Sequence, residues 1–165
     1  MTFKSWGAAC LLGLSLAAWA QPNINTDPLD WKEGEVPAPP AFDTRKLLTF
    51  DVAGSSLVFG VDPATLRISD DWIVRYVMVA SSASGARNVF YEGLRCISGE
   101  LKTYARYTPE GTWVKVDKPE WRSLFGSAST RHALQLAKAG ACNNSAPPSS
   151  VEEMVRLLKT QGLRP

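Results

Sequence analysis

The 165-residue sequence predicts an α+β fold: an antiparallel β-sheet meander of about six strands packed by two or three C-terminal helices. Three observations lead there. Residues 72–107 carry three runs rich in β-branched and aromatic side chains, separated by turn residues. From residue 119 onward the apolar spacing changes from two to three and four, the helical period. Ahead of both lies a Pro-rich stretch, residues 21–43, with neither period.

Residues 1–20 read as a signal peptide: one positive charge at Lys4, an apolar run through Leu16, and Ala18-Trp19-Ala20 in the small-x-small cleavage pattern. Cleavage there makes Gln21 the first mature residue, and the expected plan is leader 1–20, arm 21–43 and a single α+β domain over 44–165. No run after the leader reaches the 18 or so apolar residues of a membrane helix. The formal net charge of the full chain is +2, and its charges are scattered, so a nucleic-acid partner is not expected.

The arm holds Pro22, Pro28, Pro37, Pro39 and Pro40 and few β-branched residues, which predicts an extended segment. Trp31 and Phe42 bracket it. They are expected to pin it against the domain, the alternative being a partner-recognition segment of polyproline type.

Residues 46–52 and 56–61 follow as short strands, with 65–68 a brief third; Asp62-Pro63 and Ser69-Asp70-Asp71 are turns. Asp70 and Asp71 are turn carboxylates in this reading rather than metal ligands. Residues 72–80 predict the central strand, because both of its faces are largely apolar: Trp72, Val74, Tyr76, Met78 and Ala80 on one, Ile73, Arg75, Val77 and Val79 on the other. The small polar link 81–86, with Gly85, turns the chain into residues 87–96. There Asn88, Phe90, Glu92, Leu94 and Cys96 share a face, opposite Arg87, Val89, Tyr91, Gly93 and Arg95, and Gly93 invites a bulge.

Charges at Arg75, Glu92 and Arg95 inside these strands require partners. They read as a structural ion pair and a solvated arginine, or as an anion site in which Arg75 or Arg95 offers its planar donor fork beside Tyr91. Residues 100–107 and 112–116 add two further strands across Pro109-Glu110-Gly111. Pro119 opens a short helical piece with Trp121, Leu124 and Phe125 inward. Residues 131–139 form a helix with Thr130 as N-cap and Gly140 as stop. The last helix starts in the Ser150/Glu153 capping-box pattern, buries Val151, Met154, Val155 and Leu158, and stops at Gly162.

Cys10 leaves with the leader, so Cys96 and Cys142 remain as an even pair and are predicted to form a disulfide in an oxidising compartment, contributing on the order of 4 kcal/mol by chain entropy. Reactive chemistry is thinly supplied. The one histidine of the chain, His132, follows no Gly-x-Ser-x-Gly elbow; a metal site lacks ligands, and no Gly-rich phosphate loop opens a helix. No catalytic residues, metal or cofactor are assigned.

The run Tyr91-Glu92-Gly93-Leu94-Arg95-Cys96, preceded by Val79-Ala80-Ser81 and Ser84-Gly85-Ala86, followed by Tyr104-Ala105, and marked by Trp31 and Trp113, resembles the CNP-one-like family of small bacterial envelope proteins. The resemblance covers about residues 31–140. It implies a lipoprotein-like, envelope-associated protein and carries no catalytic residues with it. The leader departs from that pattern, since Cys10 sits inside the apolar run after Gly7-Ala8-Ala9 and lipidation is not expected.

The expected function is a non-catalytic binding or interaction domain of the periplasm or cell envelope, outer-membrane associated in one version, with an envelope protein as partner. Arg75, Tyr91, Glu92, Arg95 and Trp31 are its candidate binding residues. Two alternatives stand beside it: a small hydrolase or glycan-processing enzyme using Glu92 with Tyr91 or Arg95, and a purely structural, envelope-stabilising protein.

Overall fold

A computed structural model describes residues 31–161, 163 and 164. The expected leader, arm residues 21–30 and the Gly162 stop lie outside the described residues. Among the described residues eight strands form one antiparallel sheet: β1 (Leu48–Asp51), β2 (Val58–Val61), β3 (Arg67–Ile68), β4 (Ile73–Ser81), β5 (Arg87–Arg95), β6 (Glu100–Tyr107), β7 (Trp113–Lys115) and β8 (Arg122–Ser123). Their order is β1-β2-β4-β5-β6-β7, with β3 continuing beside β4 and β8 beside β6. The α+β prediction therefore holds. It misses β8, which pairs with β6 beside β7.

The β4/β5 hairpin pairs nine residues with nine, from Ile73 opposite Arg95 to Ser81 opposite Arg87. β4 begins one residue later than the apolar run, because Trp72 belongs to the turn. Its N–H donates to the Ser69 carbonyl at 2.8 Å, its φ is 63°, and its side chain is 66% exposed. A left-handed φ is costly for so bulky a residue.

The two faces of β4 are buried by different partners. Val74, Tyr76, Met78 and Ala80 meet β1, β2 and the C-terminal helices through Phe50, Phe59, Leu136, Met154 and Leu158. Val77 and Val79 face Val89, Tyr91 and Tyr104, and this second cluster is closed by Val36, Phe42 and Leu47. Much of the arm's described part thus lies across the sheet, where Phe42 meets the edges of Tyr107 and Trp113 at 5.1 and 5.9 Å. A segment without ladder hydrogen bonds is held by side chains, which explains why its aromatics bracket its prolines.

Gly93 has a packing role. A Cβ there would collide with the Tyr104 ring and hydroxyl. The register slip of the β5/β6 ladder falls beside it, where Tyr91 pairs with Ala105 but Glu92 with Thr103, so Tyr104 is the extra residue.

Residues 119–125 are not helical. β8 pairs with Glu100 and Leu101, the Leu124 N–H donates to the Gly99 carbonyl, and Phe125 turns outward to 74% exposure while Leu124 is buried. The Thr130 hydroxyl is directed at the carbonyls of Ser123, Leu124 and Ser127, so it ties down this turn and does not cap α1 (Arg131–Leu136). After α1 a π-helical segment, Ala137–Ala141, carries Gly140 at φ 124° where Leu157 of α2 (Val151–Thr160) packs too close for a side chain. Ser150 caps α2 by accepting from the Glu153 N–H at 3.1 Å; the Glu153 carboxylate instead takes the Ser149 N–H and hydroxyl. Cys96, just past β5, is bonded to Cys142, which fastens the sheet to the end of the π-helical segment.

Candidate functional site

The five candidate binding residues separate onto opposite faces of the sheet, as alternation along β5 requires. On the arm face, Arg75 is 1% exposed and grips Asp71 with both terminal nitrogens at 3.0 and 2.7 Å. Burial is the largest single influence and opposes the guanidinium's charge, but the Asp71 hydrogen bonds together with the electrostatic pull of Tyr104, Asp71 and Tyr91 raise the pKa. For Asp71 burial is again the largest influence and pushes upward, while the Arg75 hydrogen bonds and charge together with the Gly34 and Ile73 N–H groups bring the carboxyl below its usual range.

Glu33 of the arm completes the cluster: 2.6 Å from Lys102 Nζ, 2.6 Å from the Tyr104 hydroxyl and 3.6 Å from Arg75. Arg95 lies 3.5 Å over the Trp31 ring and 3.6 Å from Glu100, while the Trp31 indole donates to the Asp71 carbonyl. The arginine forks of this face therefore already hold carboxylates or an aromatic of the same chain. Tyr91 is buried here among Tyr104 and Trp113.

Glu92 points the other way, toward the helices. It is 2% exposed, and both its oxygens face Nε2 of His132 at 3.1 and 3.0 Å. Burial disfavours a charge on His132, but the Glu92 carboxylate prevails and raises the imidazole pKa, helped by a hydrogen bond to the Ser129 backbone. His132 stacks on Phe59 with ring centroids 5.2 Å apart and planes 4° from parallel. The neighbouring Tyr76 phenol is fully buried, and desolvation together with the Glu92 charge pushes its pKa well above the ordinary value.

This pair forms the floor of a cleft of about 400 Å³ between the end of the hairpin and the turn before α1. Phe90, Asn88, Thr103, Arg106, Arg122 and Ser129 are among its walls. Arg106 lies 5.0 Å over the Phe90 ring, and Arg122 donates to the Ser129 hydroxyl at 3.2 Å. Neither arginine has a carboxylate partner among the described residues, and Glu92 is the only acidic side chain in the lining. Two arginines thus stand over a single carboxylate in this lining.

The family model for the CNP1-like family matches residues 26–159. The chain belongs to the CNP1-like family. No curated protein and no solved structure matches it. In this CNP1-like protein the hydrolase grouping of Glu92 with Tyr91 or Arg95 is divided by the sheet, since those two side chains occupy the arm face. What sequence reasoning missed is the partnership of Glu92 with His132 and the two arginines, Arg106 and Arg122, that line the same cleft. The signal was present in the alternation, which puts Glu92 on the face that the helices cover. Its partner lies 40 residues away, in a separate element.

Proposed function

We propose that this CNP1-like protein is an exported, non-catalytic binding domain that holds an anionic ligand in the cleft above Glu92 and His132. The observation that carries the reading is that Arg106 and Arg122, without a carboxylate partner among the described residues, line a cleft whose one described carboxylate already faces His132. Clefts of this size that combine apolar walls with a few convergent polar groups are the usual form of a ligand site. Export is supported by the leader pattern in residues 1–20 and by the Cys96–Cys142 bridge, which persists in oxidising compartments such as the periplasm.

Catalysis by the buried pair is the second reading, because a histidine on a carboxylate is a common acid-base unit. Against it, Nε2 faces Glu92 and the ring also bonds the Ser129 backbone, leaving no nitrogen to take a substrate proton.

Native mass spectrometry of the protein isolated from its own host tests the reading. A co-purified anionic species, lost in an Arg106→Glu/Arg122→Glu variant and released chemically unchanged, is the expected result. Retention of the species by that variant, or its conversion to a product, overturns it.

A further inference from the structure

We infer that the cleft selects a small organic oxyanion, a carboxylate or a phosphate monoester, carried on a compact apolar body. The inference rests on the anion-binding reading above and adds the ligand's chemical class.

Charge sets the first requirement. Arg106 and Arg122 line the cleft from two different strands, β6 and the short β8, and each guanidinium carries a planar fork of donors suited to an oxyanion. Ser129 and Asn88 add neutral hydrogen-bonding groups on the same walls. A cation is disfavoured at this place because the one carboxylate, Glu92, already faces His132 with both oxygens.

The walls set the second requirement. Leu57, Phe59, Ala80, Phe90 and Ala128 give the lining an apolar side, so a bare inorganic anion leaves that surface wet. Phe59 already stacks with Phe50 at 6.1 Å and with His132 at 5.2 Å, and Arg106 lies over Phe90. The apolar part of a ligand therefore meets ring edges and aliphatic groups rather than a free aromatic face. That geometry suits a short, compact body better than an extended planar ring system.

The Glu92–His132 pair supplies rigidity. It joins β5 to α1 beneath the cleft, so the floor and the turn that carries Ser129 keep one relative position. A preformed site loses less freedom on binding than one that must be assembled.

Amide NMR titrations of the mature protein with phenylacetate and phenyl phosphate, against phenethylammonium, acetate and inorganic phosphate, test the class. Saturable shifts around Phe90, Arg106 and Ser129 with an aromatic anion, none with phenethylammonium, and at least about tenfold weaker binding of acetate and inorganic phosphate are expected. Separate Arg106→Glu and Arg122→Glu variants, each with the native amide spectrum, should each weaken binding about tenfold or more.

Equal binding of phenethylammonium, or affinity unmoved by both reversals, overturns the inference. Inorganic phosphate binding as tightly as phenyl phosphate removes the apolar requirement. No shift with any probe, while the host-isolated protein still carries an anion lost on charge reversal, refutes this class and leaves the binding reading standing. No shift with any probe and no such anion refutes both.

Discussion

The two oxygens of Glu92 stand 3.1 and 3.0 Å from Nε2 of His132, 40 residues further along the chain, and both side chains are buried. The contact welds the middle of β5 to the first turn of α1. Removing one member of a buried ion pair strands the other, at a typical cost of about 3–5 kcal/mol. Glu92→Gln is expected to lower stability by about that amount in urea unfolding. It also leaves burial as the main influence on His132, so the imidazole pKa read by NMR should fall. A pKa that stays raised in this variant would mean Glu92 does not govern the ring.

The pH dependence follows from the raised His132 pKa. The folded state holds the proton more tightly than the unfolded chain, whose imidazole titrates near about 6.5. The stabilisation is therefore complete below that value and is lost as pH rises through the higher native pKa. Urea midpoints measured from pH 6 to 9 should decline in the wild type and decline less in His132→Gln. Asp71 acts at the other end: its lowered pKa gives stability above the ordinary carboxylate range that is lost on acidification, and Asp71→Asn should flatten that limb.

Gly93→Ala introduces a methyl group where the Tyr104 ring lies, and Tyr104 is held by its hydrogen bond to Glu33. Overpacking of this kind costs about 1–3 kcal/mol. A second change, Tyr104→Ala, should remove most of the Gly93→Ala penalty in a double-mutant cycle. Additive losses would place the strain elsewhere.

Glu33→Ala deprives Lys102 and the Tyr104 hydroxyl of their shared acceptor. The expected loss is about 1–3 kcal/mol, the range for polar groups left without a partner. Hydrogen exchange at the Gly34 amide, which donates to Asp71, should accelerate more than exchange in β4. Unchanged protection at Gly34 would mean that Trp31 and Phe42 hold the arm without Glu33.

The parts of the fold legible in sequence are those where one local pattern decides the outcome. β4 declared itself because apolar residues fill both parities from Ile73 to Ala80, and the Ser150 cap because its hydroxyl needs only the amide three residues on. Residues 119–125 misled for the same reason: Trp121, Leu124 and Phe125 have helical spacing, but pairing with Glu100 and Leu101 prevails and Phe125 turns out to solvent. Partners for the strand charges were foreseeable as a need and unreadable as identities. Arg75 draws on Asp71 four residues away and on Glu33 in the arm, whereas Glu92 waits for a helix that the topology brings over the sheet.

Arg164 returns to the sheet beside β1, exchanging backbone hydrogen bonds with Thr49 at 2.6 and 2.9 Å, and its guanidinium meets Asp51. The outer edge of the first strand is thus paired by residues synthesised 115 positions later. Contacts of such sequence separation close late, since a long loop must be ordered before they form. Until α2 and Arg164 arrive, β1 and β2 lack Met154 and Leu158 over their apolar face, and the edge is open to pairing with another chain. A growing chain therefore cannot close this edge until residue 164 has been made, so the first hairpin alone is an incomplete folding unit.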